Sequence, residues 1–156
     1  MRLKLSAVAF LFTTLTTLAA APRADFSGVW EFNAARSQNV GMMAQMKMTL
    51  TILQTEASFD ISSHANMQGQ EYDTKIHYDL TGKPVTNEAP MSGSSETVSK
   101  WDGSKLVTTW SSAGAVAGSK VVRTETRSLS ADGKTMTVES VRGTSAPLVM
   151  VFEKKQ

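Results

Sequence analysis

Between residues 71 and 80 the chain alternates without a break. Tyr72, Thr74, Ile76, Tyr78 and Leu80 share one parity, and Glu71, Asp73, Lys75, His77 and Asp79 share the other. A helix would scatter both sets around its axis, whereas a strand sends successive side chains to opposite faces. The segment is therefore predicted to be a half-buried β-strand with its uncharged face inward. Weaker alternation or β-rich runs mark 29–33, 48–54, 58–62, 95–101, 105–111, 120–129, 135–141 and 148–154. About nine strands at short, even spacing predict an antiparallel barrel or sandwich. Residues 34–45 lack this pattern and are expected to form a short helix or an ordered loop. The stretches 64–70 and 82–93 read as turn-rich connections, and 113–118 as a loop of small residues.

Two turns are expected to set register. Trp101-Asp102-Gly103-Ser104 places Asp-Gly at the centre of a two-residue hairpin. Thr97, Ser99 and Trp101 then share the inner face with Leu106, Thr108 and Trp110. The run from Ser130 to Lys134 reads as a type I turn with a glycine bulge. It sets Val122, Thr124, Thr126 and Ser128 against Met136, Val138, Ser140 and Arg142. Charged side chains belong outside, so this Thr/Ser/Val/Met face is expected to be the inner one, with Arg123, Glu125 and Arg127 facing water. A slip of one residue would invert that assignment.

The first 21 residues read as an export signal. Arg2 and Lys4 precede an uncharged apolar run from Leu5 to Leu18, and Ala19-Ala20-Ala21 supplies small residues for cleavage, expected between 20 and 24. The run is short and threonine-rich for a membrane span, so no integral membrane segment is expected after its removal. Residues 25–156 then form a single domain in the periplasm or outside the cell. The chain has 16 basic and 14 acidic residues, and loss of Arg2 and Lys4 leaves it formally neutral. Without a basic excess, nucleic acid is not an expected partner. There is no cysteine, which excludes disulfides, thiolate nucleophiles and cysteine-based metal sites.

The predicted inner face combines small hydroxyl side chains with aromatics. Native cores are filled to high density by larger apolar groups. Small hydroxyls leave volume and offer neutral hydrogen-bonding groups, which suits a cavity for a mainly apolar ligand. The competing reading is that threonine is simply a good strand former.

Phe26-Ser27-Gly28-Val29-Trp30-Glu31-Phe32-Asn33, followed by Arg36-Ser37, resembles the first strand of bacterial secreted lipocalin-like, calycin-type proteins. Gly28-x-Trp30 is similar to the lipocalin N-terminal signature. The hairpin from Leu129 to Met136 and the closing Val151-Phe152-Glu153-Lys154 also recur in that group. The resemblance implies an all-β, up-and-down barrel of about eight to ten strands, with Trp30 closing one end. It further implies a basic residue lying over Trp30, for which Arg142 is the candidate.

The expected function is binding of a small, mainly apolar ligand inside the barrel. Tyr72, Ile76, Tyr78, Leu106, Thr108, Trp110, Thr124, Thr126 and Met136 are the expected wall, with Met43 and Met46 at the mouth. A neutral lining would keep a charged head group at that mouth. Met42, Met43, Met46 and Met48 are soft thioethers that could suit Cu(I), but methionine also fills irregular apolar gaps, and packing is the reading adopted. No metal or other cofactor is expected. His64 and His77 stand in no metal-binding spacing, and no catalytic constellation is recognisable. The alternative is a filled barrel working through its surface on a protein partner, as an exported protease inhibitor or an envelope interaction module. A connected cavity of roughly 300 Å³ or more discriminates in favour of the ligand.

Overall fold

The computed structural model describes residues 22–89 and 93–156. The expected export signal at 1–21 lies outside them. Ten antiparallel strands run up and down: β1 (Gly28–Phe32), β2 (Lys47–Gln54), β3 (Ser58–Met67), β4 (Gln70–Asp79), β5 (Val85–Ala89), β6 (Gly93–Asp102), β7 (Lys105–Ala113), β8 (Lys120–Leu129), β9 (Thr135–Arg142) and β10 (Leu148–Lys154). Two 3₁₀ turns, Ala34–Arg36 and Gly41–Gln45, occupy the stretch without strand pattern. No helix of the described residues is long and apolar enough to cross a membrane.

The sheet order β4-β3-β2-β1-β10-β9-β8-β7-β6-β5 makes a nearly closed barrel. Every ladder joins sequence neighbours except β1–β10, where Trp30 lies opposite Lys154. The alternation in β4 has the predicted polarity: Tyr78 and Leu80 are buried, while His77 stands outside and pairs with Asp60 at 2.6 Å.

Three connections differ from expectation. β3 continues through 64–67, because the turn is only Gln68-Gly69, both with positive φ (54° and 86°). Such a pair forms a tight hairpin whose twist matches the strands. β5 lies within the expected 82–93 connection; its buried inward residue is Asn87, so no apolar alternation marked it. The β6–β7 turn is centred on Gly103-Ser104, with Asp102 opposite Lys105. That shift preserves parity, so Thr97, Ser99, Leu106, Thr108 and Trp110 are buried as predicted.

The β8–β9 register is the main correction. Leu129 faces Met136 and Arg127 faces Val138, one residue away from the predicted pairing. The loop closes with Gly133 donating to the Ser130 carbonyl at 2.9 Å and Ser130 to that of Thr135 at 2.9 Å, leaving residues 130–134 between the strand ends. Parity therefore inverts on β8. Arg123, Glu125 and Arg127 turn inward, while Thr124, Thr126 and Ser128 share the outer face with Thr137 and Glu139.

At the closed end, Trp30 is fully buried and donates Nε1–H to the Phe26 carbonyl at 2.8 Å. Phe26 in turn packs edge-on against Phe59 and stacks on Trp101. The cation over the Trp30 ring is Lys154, 5.2 Å from the ring centre. Arg142 is exposed at the far end of β9 and does not take that role. Gly28 makes room for the lysine: a Cβ there would come within 2.8 Å of Lys154 Cε, and its φ of 129° suits only glycine.

The barrel has one seam. No backbone ladder joins β4 to β5 among the described residues. Instead the Asn87 side chain acts as a surrogate peptide. Its Oδ1 accepts from the His77 amide at 2.9 Å, and its Nδ2 donates to the His77 carbonyl and to Thr97 Oγ1, each at 2.8 Å. Asn87→Ala is expected to cost about 1–3 kcal/mol, because partly buried groups of His77 lose their partner. Urea unfolding checks the cost, and faster hydrogen exchange at the His77 amide checks its location.

Candidate functional site: a half-filled barrel with an arginine-based floor

The two halves of the interior differ. The closed half is packed with Phe26, Trp30, Ile52, Phe59, Leu106 and Met136. There the inward hydroxyls bond one another: Ser99 and Thr108 share a 2.8 Å hydrogen bond, and Thr97 donates to the Val85 carbonyl at 3.0 Å. The open half is a cavity of about 310 Å³. Leu50, Ile61, Ala65, Tyr72, Ile76, Val138 and Phe152 form most of its apolar wall. Five methionines, Met43, Met46, Met48, Met67 and Met150, also line it.

The most buried polar feature of this cavity is a charged cluster. Arg127 and Glu125 are both buried and in direct contact. Arg127 Nη2 also faces Tyr78 Oη at 3.4 Å, and Arg123 Nη2 lies 3.8 Å from Glu125 Oε2. The Arg123 guanidinium covers the Trp110 ring at 4.6 Å, and that of Arg127 lies 5.3 Å from the Tyr78 ring centre. Burial opposes the charge on Arg127, but Glu125 and the Tyr78 hydroxyl outweigh it, and the pKa is raised. Burial pushes the Tyr78 hydroxyl well above its ordinary value, so it stays protonated.

Two guanidiniums face one carboxylate, which leaves one positive charge in excess. Several donors in the cluster have no partner: Arg127 Nε and Nη1, Arg123 Nε and Trp110 Nε1. Unpaired buried donors are costly and rare. Here they surround the floor of a cavity, where an anionic group with several acceptor oxygens would satisfy them.

Of the expected wall residues, Tyr72, Ile76, Tyr78 and Trp110 line the cavity, and so do Met43 and Met46 at the mouth. Leu106, Thr108 and Met136 point inward but belong to the filled half. Thr124 and Thr126 face outward, for the register reason above. The expected neutral lining is replaced by the Arg123–Glu125–Arg127 cluster. Its sequence signal was present but overridden: Leu129, an apolar end of β8, shares parity with all three charged residues.

No protein-family model and no curated protein matches this chain. Solved structures do match in fold. Fatty-acid-binding protein 1 of Echinococcus granulosus superposes with a TM-score of 0.64 at 12% identity, covering 84% of this chain and 98% of that one. Apo lipid binding protein 8 of Caenorhabditis elegans gives 0.63 at 14%, covering 83% and 95%. Human cRBP IV gives 0.62 at 17%, covering 85% and 99%. At these identities the likeness defines the fold alone: a ten-stranded, up-and-down antiparallel β-barrel.

Proposed function

We propose that this protein binds a small, mainly apolar ligand whose single anionic head, a carboxylate, sits on Arg127 and Arg123 while its chain fills the methionine-lined half of the barrel. The observation that carries this reading is the set of unpartnered, buried guanidinium donors at the base of an apolar cavity. A monoanion neutralises the excess charge of the cluster; a dianion would leave a net charge in a medium of low dielectric. Apolar burial at about 25 cal/mol per Å² supplies most of the affinity, and the floor supplies orientation. Structures of the same fold include proteins called fatty-acid-binding and lipid-binding, which agrees with this reading. The protein works by binding rather than by catalysis, in the periplasm or outside the cell, after removal of residues 1–21.

Fluorescence titration with dansylaminoundecanoic acid and with the corresponding alcohol tests the proposal. Charge-assisted hydrogen bonds are worth about 1.5–3 kcal/mol, so the acid is expected to bind roughly ten- to a hundredfold more tightly. Equal affinity would remove the role of the arginine floor. An absence of saturable binding by either probe would overturn the ligand-binding reading and move the function to the barrel surface.

A further inference from the structure

Among the described residues there are seven methionines, and five of them line one cavity. They come from four separate parts of the chain: Met43 and Met46 from the Gly41–Gln45 turn and its end, Met48 from β2, Met67 from β3 and Met150 from β10. The other two provide a built-in comparison. Met42 is 77% exposed and points away from the cavity; Met136 is fully buried in the closed half. The chain has no cysteine. Its thioethers are therefore its only oxidisable sulfur, and most of those in the described part line this one cavity.

Met43 and Met46 are set apart in this group by standing on or next to a 3₁₀ turn rather than within a strand. The turn and its C-cap residue bring both side chains into the cavity lining. It is tied to the β3–β4 turn by Gln68 Nε2 donating to Gln45 Oε1 at 3.1 Å. No residue of the Gly41–Gln45 turn is buried, and Met43 and Met46 are both partly open to solvent. Their side chains thus meet solvent on one side and the ligand space on the other.

We propose that Met43 and Met46 form a modification site for hydroperoxides, and that their oxidation to sulfoxides weakens ligand retention. The inference rests on the binding role proposed above. In the reaction a sulfur lone pair attacks the outer peroxide oxygen. The S–O bond forms as the O–O bond breaks, the thioether loses two electrons, and the hydroperoxide leaves as an alcohol or as water. A flexible apolar wall residue becomes a polar one. Two S=O dipoles are then set where the ligand chain must pack, and burying them without donors is unfavourable. The opening changes from an apolar collar to a polar one without any change of fold. A bound ligand covers the inward side of Met43 and Met46 but not Met42, so occupancy protects the first two selectively.

The experiment treats the mature chain with hydrogen peroxide or with cumene hydroperoxide, in the presence and absence of dansylaminoundecanoic acid. Sulfoxides are located by peptide mass spectrometry. Met42 is expected to oxidise whether or not probe is bound, Met136 to resist, and Met43 and Met46 to oxidise only when the cavity is empty. Cumene hydroperoxide, being apolar, is expected to favour Met43 and Met46 over Met42. The oxidised protein is expected to bind the probe about tenfold more weakly, with an unchanged circular dichroism spectrum. A double variant, Met43→Leu with Met46→Leu, is compared with its own unoxidised form and is expected to show no such loss; Met42→Leu is expected to lose affinity as the wild type does. Unchanged affinity after sulfoxidation, or an equal loss in the double variant, overturns the assignment. Failure of the unoxidised protein to bind any probe overturns the binding role itself, and is thereby told apart.

Discussion

Arg127→Met is expected to lower stability by about 3–5 kcal/mol, the usual cost of leaving one member of a buried ion pair behind. Arg127 and Glu125 each expose 7% of their side-chain surface, so water screens the pair little. Arg123, 3.8 Å from Glu125, remains as a partial substitute and sets the loss toward the lower end. The same variant is expected to bind the carboxylate probe at least about tenfold more weakly, because a charge-assisted bond is lost. A double replacement, Glu125→Leu with Arg127→Met, separates the two effects. Removing both charges is often neutral or stabilising, so stability is expected to return, while Arg123 alone keeps only part of the carboxylate preference. Urea unfolding and probe titration read the two quantities independently. A single variant within about 1 kcal/mol of wild type would show that the pair is not desolvated as described.

Trp30→Ala is expected to cost about 3–5 kcal/mol, the range for emptying a large aromatic site. Trp30 is fully buried, anchors Phe26 through its indole N–H and lies beneath Lys154. It does not line the cavity. Probe affinity of the folded fraction is therefore expected to stay within about twofold, against the large change at Arg127. Thermal or urea unfolding, followed by titration at low temperature, distinguishes these outcomes. A large drop in affinity with little loss of stability would assign Trp30 to the binding wall rather than to the closed end.

The contrast between these residues shows where the sequence was legible. Gly28-x-Trp30 carried its structural role openly, since a buried tryptophan at a strand start has few alternatives. β4 was equally clear because each parity was chemically uniform. β8 was not. Its charged and hydroxyl sets alternate cleanly, but the rule that charge faces water selected the wrong one. Only the length of the loop between β8 and β9 decides, and a single residue in a turn leaves little mark in composition. The site was misread at the same point. A buried charged cluster violates the pattern used to find the inside, and such violations concentrate where ligands bind. β5 stayed hidden for a related reason, since its inward group is an amide whose partners, His77 and Thr97, lie on the flanking strands. The methionines were visible as a group, but their convergence with Met67 and Met150 depends on topology.

The pairing of β1 with β10 has a consequence for how this molecule comes into being. Every other ladder is a local hairpin that can form as soon as its two strands exist. The ladder from Trp30 to Lys154 must draw together nearly the whole of residues 22–156, and its entropy cost falls at one step. Contacts of such long sequence separation slow folding. Until the last strand is available, Trp30 lacks both the neighbouring strand and the lysine that covers it. A chain without β10 is thus left as an open ribbon with its aromatic end unsealed, and that strand decides when the barrel closes.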